Sequence, residues 1–260
     1  MSSLQIHTLA WNNSDPRMLE AHRRVTQHLQ LPVCYHIKSV PHGAWIDSVL
    51  ETAQTDAVGF LDSDCVPLNR DIVLQSAQWA FDQRSFIGIA QASNHIPPRS
   101  HIFAAPAFFF ISRTAWLDLG KPSFVETPRS DVAQEVSYRA EEIGLRYRTL
   151  YPTHFEREPR DDGYWHLGSY GSYGIGTVFK GGVYHLYQGR HRDHAALFVQ
   201  RCGQIVAGTF STAGFHQCDS LACAPAAAAH LDLTAQPDCL SAGAQLRRWL
   251  PPLFFPRTGR

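Results

Sequence analysis

The sequence predicts an α/β protein with a mixed, mostly parallel β-sheet flanked by helices. Short apolar segments typical of buried strands alternate with segments of helical spacing, which is the pattern of parallel strands joined by crossover helices. One apolar segment ends abruptly in two carboxylates, at the edge where open α/β sheets bind ligands. A length of 260 residues with 44% hydrophobic content supplies a core for one large domain or two small ones.

The first part of the chain predicts three strands separated by two helices. Residues 4–9 alternate apolar and polar side chains, and residues 18–29 have helical spacing after a polar turn. A proline introduces the second strand at residues 33–37, a helix follows at 44–52, and the apolar run 57–61 is the third strand.

The next part predicts a helix at 72–81, strands at 86–90 and 107–112, and a helix at 130–144. The apolar stretch 103–111 contains a proline and is shorter than the roughly 20 residues that span a bilayer, which favours a buried strand. Residues 156–192 are rich in Gly, Tyr, His and Arg and predict a loop beside a site.

Charge and cysteine usage exclude several classes of protein. Lys+Arg 23 balances Asp+Glu 23, so no overall field attracts nucleic acid, although a local arginine patch keeps that partner open. The six cysteines lack a C-x-x-C pair, which argues against a zinc ribbon. The start lacks a basic segment followed by a long apolar run, so we expect a cytoplasmic protein without a transmembrane segment, with peripheral membrane association left open.

The motif Asp62-Ser63-Asp64 follows the third predicted strand. A divalent cation held by one or both carboxylates would bridge the oxygens of a diphosphate. The alternative is a solvated turn that precedes the helix beginning near Asn69.

The run Val58-Gly59-Phe60-Leu61-Asp62-Ser63-Asp64 resembles the D-x-D strand of GT-A glycosyltransferases, particularly those of family 2. The resemblance extends to His42-Gly43-Ala44-Trp45 and to Phe108-Phe109-Phe110-Ile111-Ser112-Arg113, and it covers about residues 4–192. It implies a Rossmann-like GT-A domain at 1–200, with a donor half at about 1–92 and an acceptor half at about 93–200. Residues 201–260 would be a C-terminal extension of unknown role.

The resemblance also implies a metal site. Asp64 would ligate Mn²⁺ or Mg²⁺, Asp62 would contact the metal or the donor ribose, and a late histidine would be a further ligand. His185, in Tyr184-His185-Leu186-Tyr187, fits that position. A histidine in an apolar strand is alternatively a buried core residue.

Inverting relatives use a carboxylate near the start of a helix as general base, and Asp131 and Glu135 are the candidates. They lie four residues apart on one predicted helical face, and Asp131 is alternatively a helix cap. Ser130 replaces the glutamate of the usual Glu-Asp pair, so the inverting outcome stays an expectation.

Donor-binding residues are predicted from position. Thr8, Trp11 and Asn12 follow or end the first strand, where GT-A enzymes hold the nucleotide, and Asp47 is a further candidate. Arg190 and His191 would close over the donor diphosphate, or would form a solvated basic turn.

The predicted function is transfer of a sugar from a nucleoside diphosphate sugar, with a UDP-sugar as first choice, to a hydroxyl acceptor in glycan synthesis. One alternative is a non-catalytic nucleotide- or sugar-binding module, in which aromatic residues such as Trp165 stack on a ligand. Another is a glycosyltransferase that acts on modified DNA bases. A nucleotidyltransferase on a similar fold should carry a glycine-rich loop after the first strand, and residues 12–17 lack that pattern.

Overall fold

A computed structural model describes residues 3–156, 165–167, 171–187, 189 and 192–218. The helices within this part are α1 (Pro16–His28), α2 (His42–Thr52), α3 (Arg70–Asp82), α4 (Arg113–Asp118), α5 (Gln134–Ile143) and α6 (Arg192–Val206). The strands are β1 (Leu4–Ala10), β2 (Val33–Ile37), β3 (Ala57–Leu61), β4 (Cys65–Pro67), β5 (Phe86–Gln91), β6 (Phe103–Ser112), β7 (Arg148–Leu150), β8 (Pro152–Phe155), β9 (Trp165–His166), β10 (Ser172–Tyr173), β11 (Thr177–Phe179), β12 (Val183–His185) and β13 (His216–Gln217). The helix and strand segments predicted up to residue 112 are all present, with ends shifted by up to four residues.

The central sheet has six strands in the order β2-β1-β3-β6-β5-β7. β1 pairs in parallel with both β2 and β3, and β5 pairs in parallel with β7. β6 lies antiparallel between β3 and β5. The prediction of a mixed, mostly parallel sheet flanked by helices is confirmed.

A second sheet of five strands, in the order β13-β8-β11-β12-β4, is antiparallel throughout. Its edge strand β4 begins one residue after Asp64, so this sheet is attached directly to the carboxylate motif. The two sheets therefore meet where the third strand of the central sheet ends.

Both faces of the central sheet are covered, because its strands carry apolar side chains on alternate faces. Phe60 packs with Trp45 of α2 and Trp116 of α4 in one buried cluster. Leu61 packs with Val73 of α3 in another. A third cluster joins α1 and α6 to the second sheet.

The helix predicted at 130–144 begins instead at Gln134, so Asp131 lies before it and not on a shared face with Glu135. Ala133 has a φ of 70°, and its N–H donates to Phe124 O at 3.1 Å. The chain therefore turns just before the helix starts, because the backbone of Ala133 lies in the left-handed region.

Residue 200, the predicted end of the domain, lies inside α6, which packs against α1. Arg201 forms a buried ion pair with Glu156, in which its Nε donates to Oε2 at 2.8 Å. The part of the chain up to residue 218 thus continues the same fold, since β13 also pairs with β8. The remainder of the predicted extension, 219–260, lies outside the described residues, as do residues 157–164, 168–170, 188, 190 and 191 of the segment predicted as a loop. The prediction of a loop over 156–192 is wrong for the described part, which forms β9 to β12 and the start of α6. Within the described residues, no helix combines the length and the apolar character needed to cross a bilayer.

Candidate active site

A cleft of about 130 Å³ opens at the carboxyl ends of β1 and β3. Trp11 and Met18 line it from the end of β1 and the start of α1, and the Asp62–Asp64 motif lines it from the end of β3. Open α/β sheets bind ligands at this edge, so the motif lies where a ligand site is expected.

Asp64 and His185 are brought together by strand pairing. β12 runs antiparallel to β4 with His185 opposite Cys65, and Leu186 N–H donates to Asp64 O at 2.9 Å. The imidazole Nε2 of His185 lies 3.8 Å from Asp64 Oδ1. The predicted pairing of these two residues at one site is therefore present in the structure, although no prediction of the strand register was made.

Asp62 faces a different histidine. His42, the first residue of α2, places its Nε2 3.1 Å from Asp62 Oδ1 and stacks its ring on Trp45. Asp62 N–H donates to Ala107 O, and Cys65 N–H closes a turn onto Asp62 O. This turn fixes the backbone between β3 and β4 and keeps both carboxylates on the cleft side.

The two carboxylates have opposite pKa shifts. Burial raises the pKa of Asp64; the nearby His185 lowers it, and the negative charge of Asp62 raises it further, so that the net shift is upward. Burial also raises the pKa of Asp62, but His42, through its charge and its hydrogen bond, and His185 outweigh that effect and leave the pKa of Asp62 below the ordinary value. Two acids in one buried site favour a bound cation, because a cation relieves their mutual repulsion.

Gly189 lines the cleft beside Asp64, and its backbone N–H donates a hydrogen bond to the Asp64 carboxylate. A Cβ at this position would lie 2.8 Å from Asp64 Cβ, Asp64 Oδ2 and Met18 Cε. Only glycine fits this approach without displacing the carboxylate.

His22 contacts the chain directly after the Asp62–Asp64 motif, and the sequence analysis did not identify it. Its ring is fully buried, with Nε2 3.0 Å from Cys65 O and Nδ1 2.8 Å from the Tyr35 hydroxyl. Burial lowers the pKa of His22 to about 4, so the ring is neutral at pH 7. It thus fixes the start of β4 without adding a charge beneath the carboxylates.

The other predicted donor residues lie at different places. Trp11 lines the cleft, but Thr8 is fully buried within β1, and Asn12 is exposed and is not among the cleft-lining residues. Asp47 accepts hydrogen bonds from Ser123 Oγ at 2.6 Å and Phe124 N–H at 2.8 Å, so it anchors a loop onto α2. Thr8, Asn12 and Asp47 are not among the residues that line the cleft, and their donor contacts stay predictions. Arg190 and His191 lie outside the described residues.

The two predicted base candidates have different surroundings. Asp131 is largely covered, its Oδ1 accepts from Val132 N–H at 2.8 Å, and its Oδ2 lies 4.0 Å from His95 Nδ1. Glu135 instead forms a two-point ion pair with Arg129, which occupies both of its carboxylate oxygens. Both Glu135 oxygens are therefore engaged by an arginine, whereas Asp131 Oδ2 lies near the ring of His95.

No protein-family model matches the chain, and no curated protein matches it. Solved structures similar to it include CMP:2-keto-3-deoxy-manno-octonic acid synthetase complexed with CTP, at 13% identity and a TM-score of 0.36 over 58% of this chain and 90% of that one. Residues 1–349 of S. aureus TarS in complex with UDP-GlcNAc match at 18% identity and a TM-score of 0.35, over 54% of this chain and 53% of that one. Glycosyltransferase GlyE of Streptococcus pneumoniae TIGR4 matches at 11% identity and a TM-score of 0.32, over 58% of this chain and 45% of that one. The fold class of this chain rests on its own strand order and strand directions.

Proposed function

We propose that this protein is a metal-dependent glycosyltransferase that moves a sugar from a nucleoside diphosphate sugar, with a UDP-sugar as first choice, to a hydroxyl acceptor. The observation that supports this most directly is the meeting of Asp62, Asp64 and His185 at the carboxyl edge of β3, beside an open cleft. The resemblance of residues 58–64 to the D-x-D strand of GT-A enzymes supports the same reaction class.

The side chains at the cleft suit a hard or borderline divalent cation. Asp64 offers carboxylate oxygens and His185 offers Nε2 on the facing strand, and Mn²⁺ accepts such a mixed oxygen and nitrogen set, whereas Mg²⁺ favours the oxygens. Burial and the charge of Asp62 raise the pKa of Asp64, and a bound cation would favour its ionised form. A cation bound there would neutralise charge on a departing nucleoside diphosphate.

The residues of the chain have separate roles in this proposal. Trp11 would provide an aromatic wall for the donor nucleotide, while Asp64 and His185 would hold a cation that neutralises the charge of the diphosphate. His42 would orient Asp62, which lines the cleft, through the 3.1 Å contact of its Nε2 with Asp62 Oδ1. Arg190 and His191 remain proposed as residues that close over the diphosphate.

The acceptor hydroxyl needs a base, and the carboxylate of Asp131 is proposed to serve that end of the site. In a single displacement, the hydroxyl oxygen bonds to the anomeric carbon as the bond from that carbon to the diphosphate oxygen breaks. The hydroxyl proton leaves to the base, and the nucleoside diphosphate departs with the electron pair. This sequence inverts the anomeric configuration.

The test is metal-dependent release of nucleoside diphosphate from a panel of UDP-, GDP- and dTDP-sugars, with Asp64→Asn as the matched inactive variant. Release of UDP that requires Mn²⁺ and disappears in EDTA supports the proposal. Tight binding of a nucleotide sugar without any turnover would identify a binding module. Release of pyrophosphate from a nucleoside triphosphate and a sugar phosphate would identify a nucleotidyltransferase.

A further inference from the structure

His95 lies on the same sheet edge as the carboxylate motif. It follows β5, which runs parallel to β3 with only β6 between them, so the two strands end on one side of the sheet. Neighbouring strands lie about 4.8 Å apart, which places the ends of β3 and β5 about 10 Å from each other. A residue in the loop after β5 is therefore close enough to contact the acceptor of a sugar that is bound at the end of β3.

The loop that carries His95 is held at three points. Ser93 is fully buried, and its Oγ accepts from the N–H of Ile96 at 3.0 Å and of His95 at 3.4 Å. Asn94 Nδ2 donates to the hydroxyl of Tyr187 at 2.8 Å, two residues beyond His185. Ile96 is itself buried. The loop is therefore fixed by hydrogen bonds at the end of β5 and by a hydrogen bond to the segment that follows His185.

Two carboxylates face the imidazole of His95 from the segment before α5. Its Nε2 lies 3.4 Å from Glu126 Oε2, and its Nδ1 lies 4.0 Å from Asp131 Oδ2. Within the part of the chain that the structure describes, these two carboxylates are the charged groups within 4.0 Å of the His95 ring nitrogens. One carboxylate thus lies near each nitrogen of the ring.

Exposure decides which member of this group meets a substrate. The His95 side chain is 56% exposed, whereas that of Asp131 is 14% exposed and has one oxygen engaged by Val132 N–H. An incoming hydroxyl therefore reaches the imidazole more readily than the Asp131 carboxylate.

We propose that His95 takes the proton from the acceptor hydroxyl and that Asp131 and Glu126 stabilise the imidazolium that forms. This inference rests on the proposed glycosyl transfer and replaces direct proton transfer to Asp131. The hydroxyl oxygen bonds to the anomeric carbon, its proton moves to a ring nitrogen of His95, and the nucleoside diphosphate leaves with the electron pair of the broken bond. His95 is the catalytic residue, and Asp131 and Glu126 are positioning residues.

The experiment compares wild type, His95→Ala and His28→Ala, an exposed control at the end of α1, with Mn²⁺ and the UDP-sugar that the wild type hydrolyses fastest. Water and added glycerol serve as the acceptor hydroxyls. We expect kcat of His95→Ala to fall by about 10²-fold or more with UDP affinity unchanged, because a general base contributes roughly 10²–10⁴. Added imidazole should restore part of the lost rate in His95→Ala and should leave His28→Ala at the wild-type rate.

Two results overturn the inference while leaving the proposed function intact. The first is a wild-type kcat in His95→Ala. The second is a loss of rate that excess Mn²⁺ restores and imidazole does not, because the ligand atoms of His95, Glu126 and Asp131 lie within 4.8 Å of one another and would then hold a cation. If the wild type releases no nucleoside diphosphate from any donor, the proposed function fails and this inference fails with it.

Discussion

His185 Nε2 lies 3.8 Å from Asp64 Oδ1 because β12 pairs with β4 directly beside the carboxylate motif. The two side chains come from distant parts of the sequence, yet a single strand register places them side by side. Since each is a member of the proposed metal site, their substitution is expected to affect ligand binding far more than folding.

Asp64→Asn is expected to weaken Mn²⁺ binding by more than about 100-fold and to abolish turnover, since a direct ligand is lost. Burial and Asp62 raise the pKa of Asp64, so its charged form is unfavourable in the folded protein and its removal should leave the unfolding temperature unchanged or higher. Metal titration and thermal unfolding measure the two effects. Turnover near the wild-type rate in saturating Mn²⁺ would rule out the metal assignment.

His185→Ala is expected to weaken Mn²⁺ and UDP-sugar binding together, because ligands that meet through one cation have coupled affinities. Calorimetry of each ligand, with and without the other, measures this coupling. The side chain lies beside Asp64 and is partly exposed, so only a small loss of stability is expected. A variant that binds donor normally but unfolds at a much lower temperature would show that His185 is a core residue.

Gly189→Ala tests the close approach of the backbone to Asp64. The added Cβ would lie 2.8 Å from Asp64 Oδ2 and from Met18 Cε, so the carboxylate must move away from the cleft. We expect Mn²⁺ affinity to fall by about 10-fold or more while circular dichroism is unchanged. Gly203→Ala, in α6, is the control, since its added Cβ meets no atom within 4 Å. Equal metal affinities in the two variants would contradict the prediction.

Asp131→Asn is expected to lower the rate of transfer by less than the roughly 10²–10⁴ that loss of the base itself would cost, and to spare donor binding, because Asp131 acts on the acceptor side through His95 and not on the nucleotide. The amide retains the size of the side chain and an oxygen that accepts from Val132 N–H, so the fold should be preserved. Glu135→Gln is the comparison, and the Arg129 ion pair predicts only a small effect. A larger loss in Glu135→Gln would reverse the assignment. If neither variant is slow, the anomeric configuration of the product would test a retaining mechanism.

Stability is expected to fall as the pH is lowered from about 6.5 to about 4. Burial lowers the pKa of His22 and of His7 to about 4 from the ordinary value of 6.5, so within this range the unfolded chain binds protons that the folded protein does not. Each histidine contributes at most about 1.4 kcal/mol per pH unit, and below pH 4 its contribution becomes constant. Urea unfolding at pH 7.5, 6 and 5 should show a shallower dependence for His22→Gln. An unchanged slope would mean that His22 is protonated in the folded protein.

Much of the fold was predictable because each element obeys a local rule. Apolar runs with turn residues at both ends gave β3 and β5, and helical spacing after Asn69 gave α3, whose cap accepts from Ile72 N–H. The D-x-D position was predictable for the same reason, since it lies at the end of a buried strand. Glu135 and Asp131 were harder, because the turn at Ala133 depends on a hydrogen bond to Phe124.

The sequence by itself determined the α/β class, the order of the helices and central-sheet strands up to residue 112, and the place of Asp62 and Asp64 at a strand end. These depend on side-chain periodicity within short segments. Only the tertiary structure decided that β6 is antiparallel, that Thr8 is buried, that Gly189 touches Asp64 and that His95 faces Asp131. Such contacts join residues far apart in the chain, and they follow from strand register and loop packing, which local periodicity does not encode.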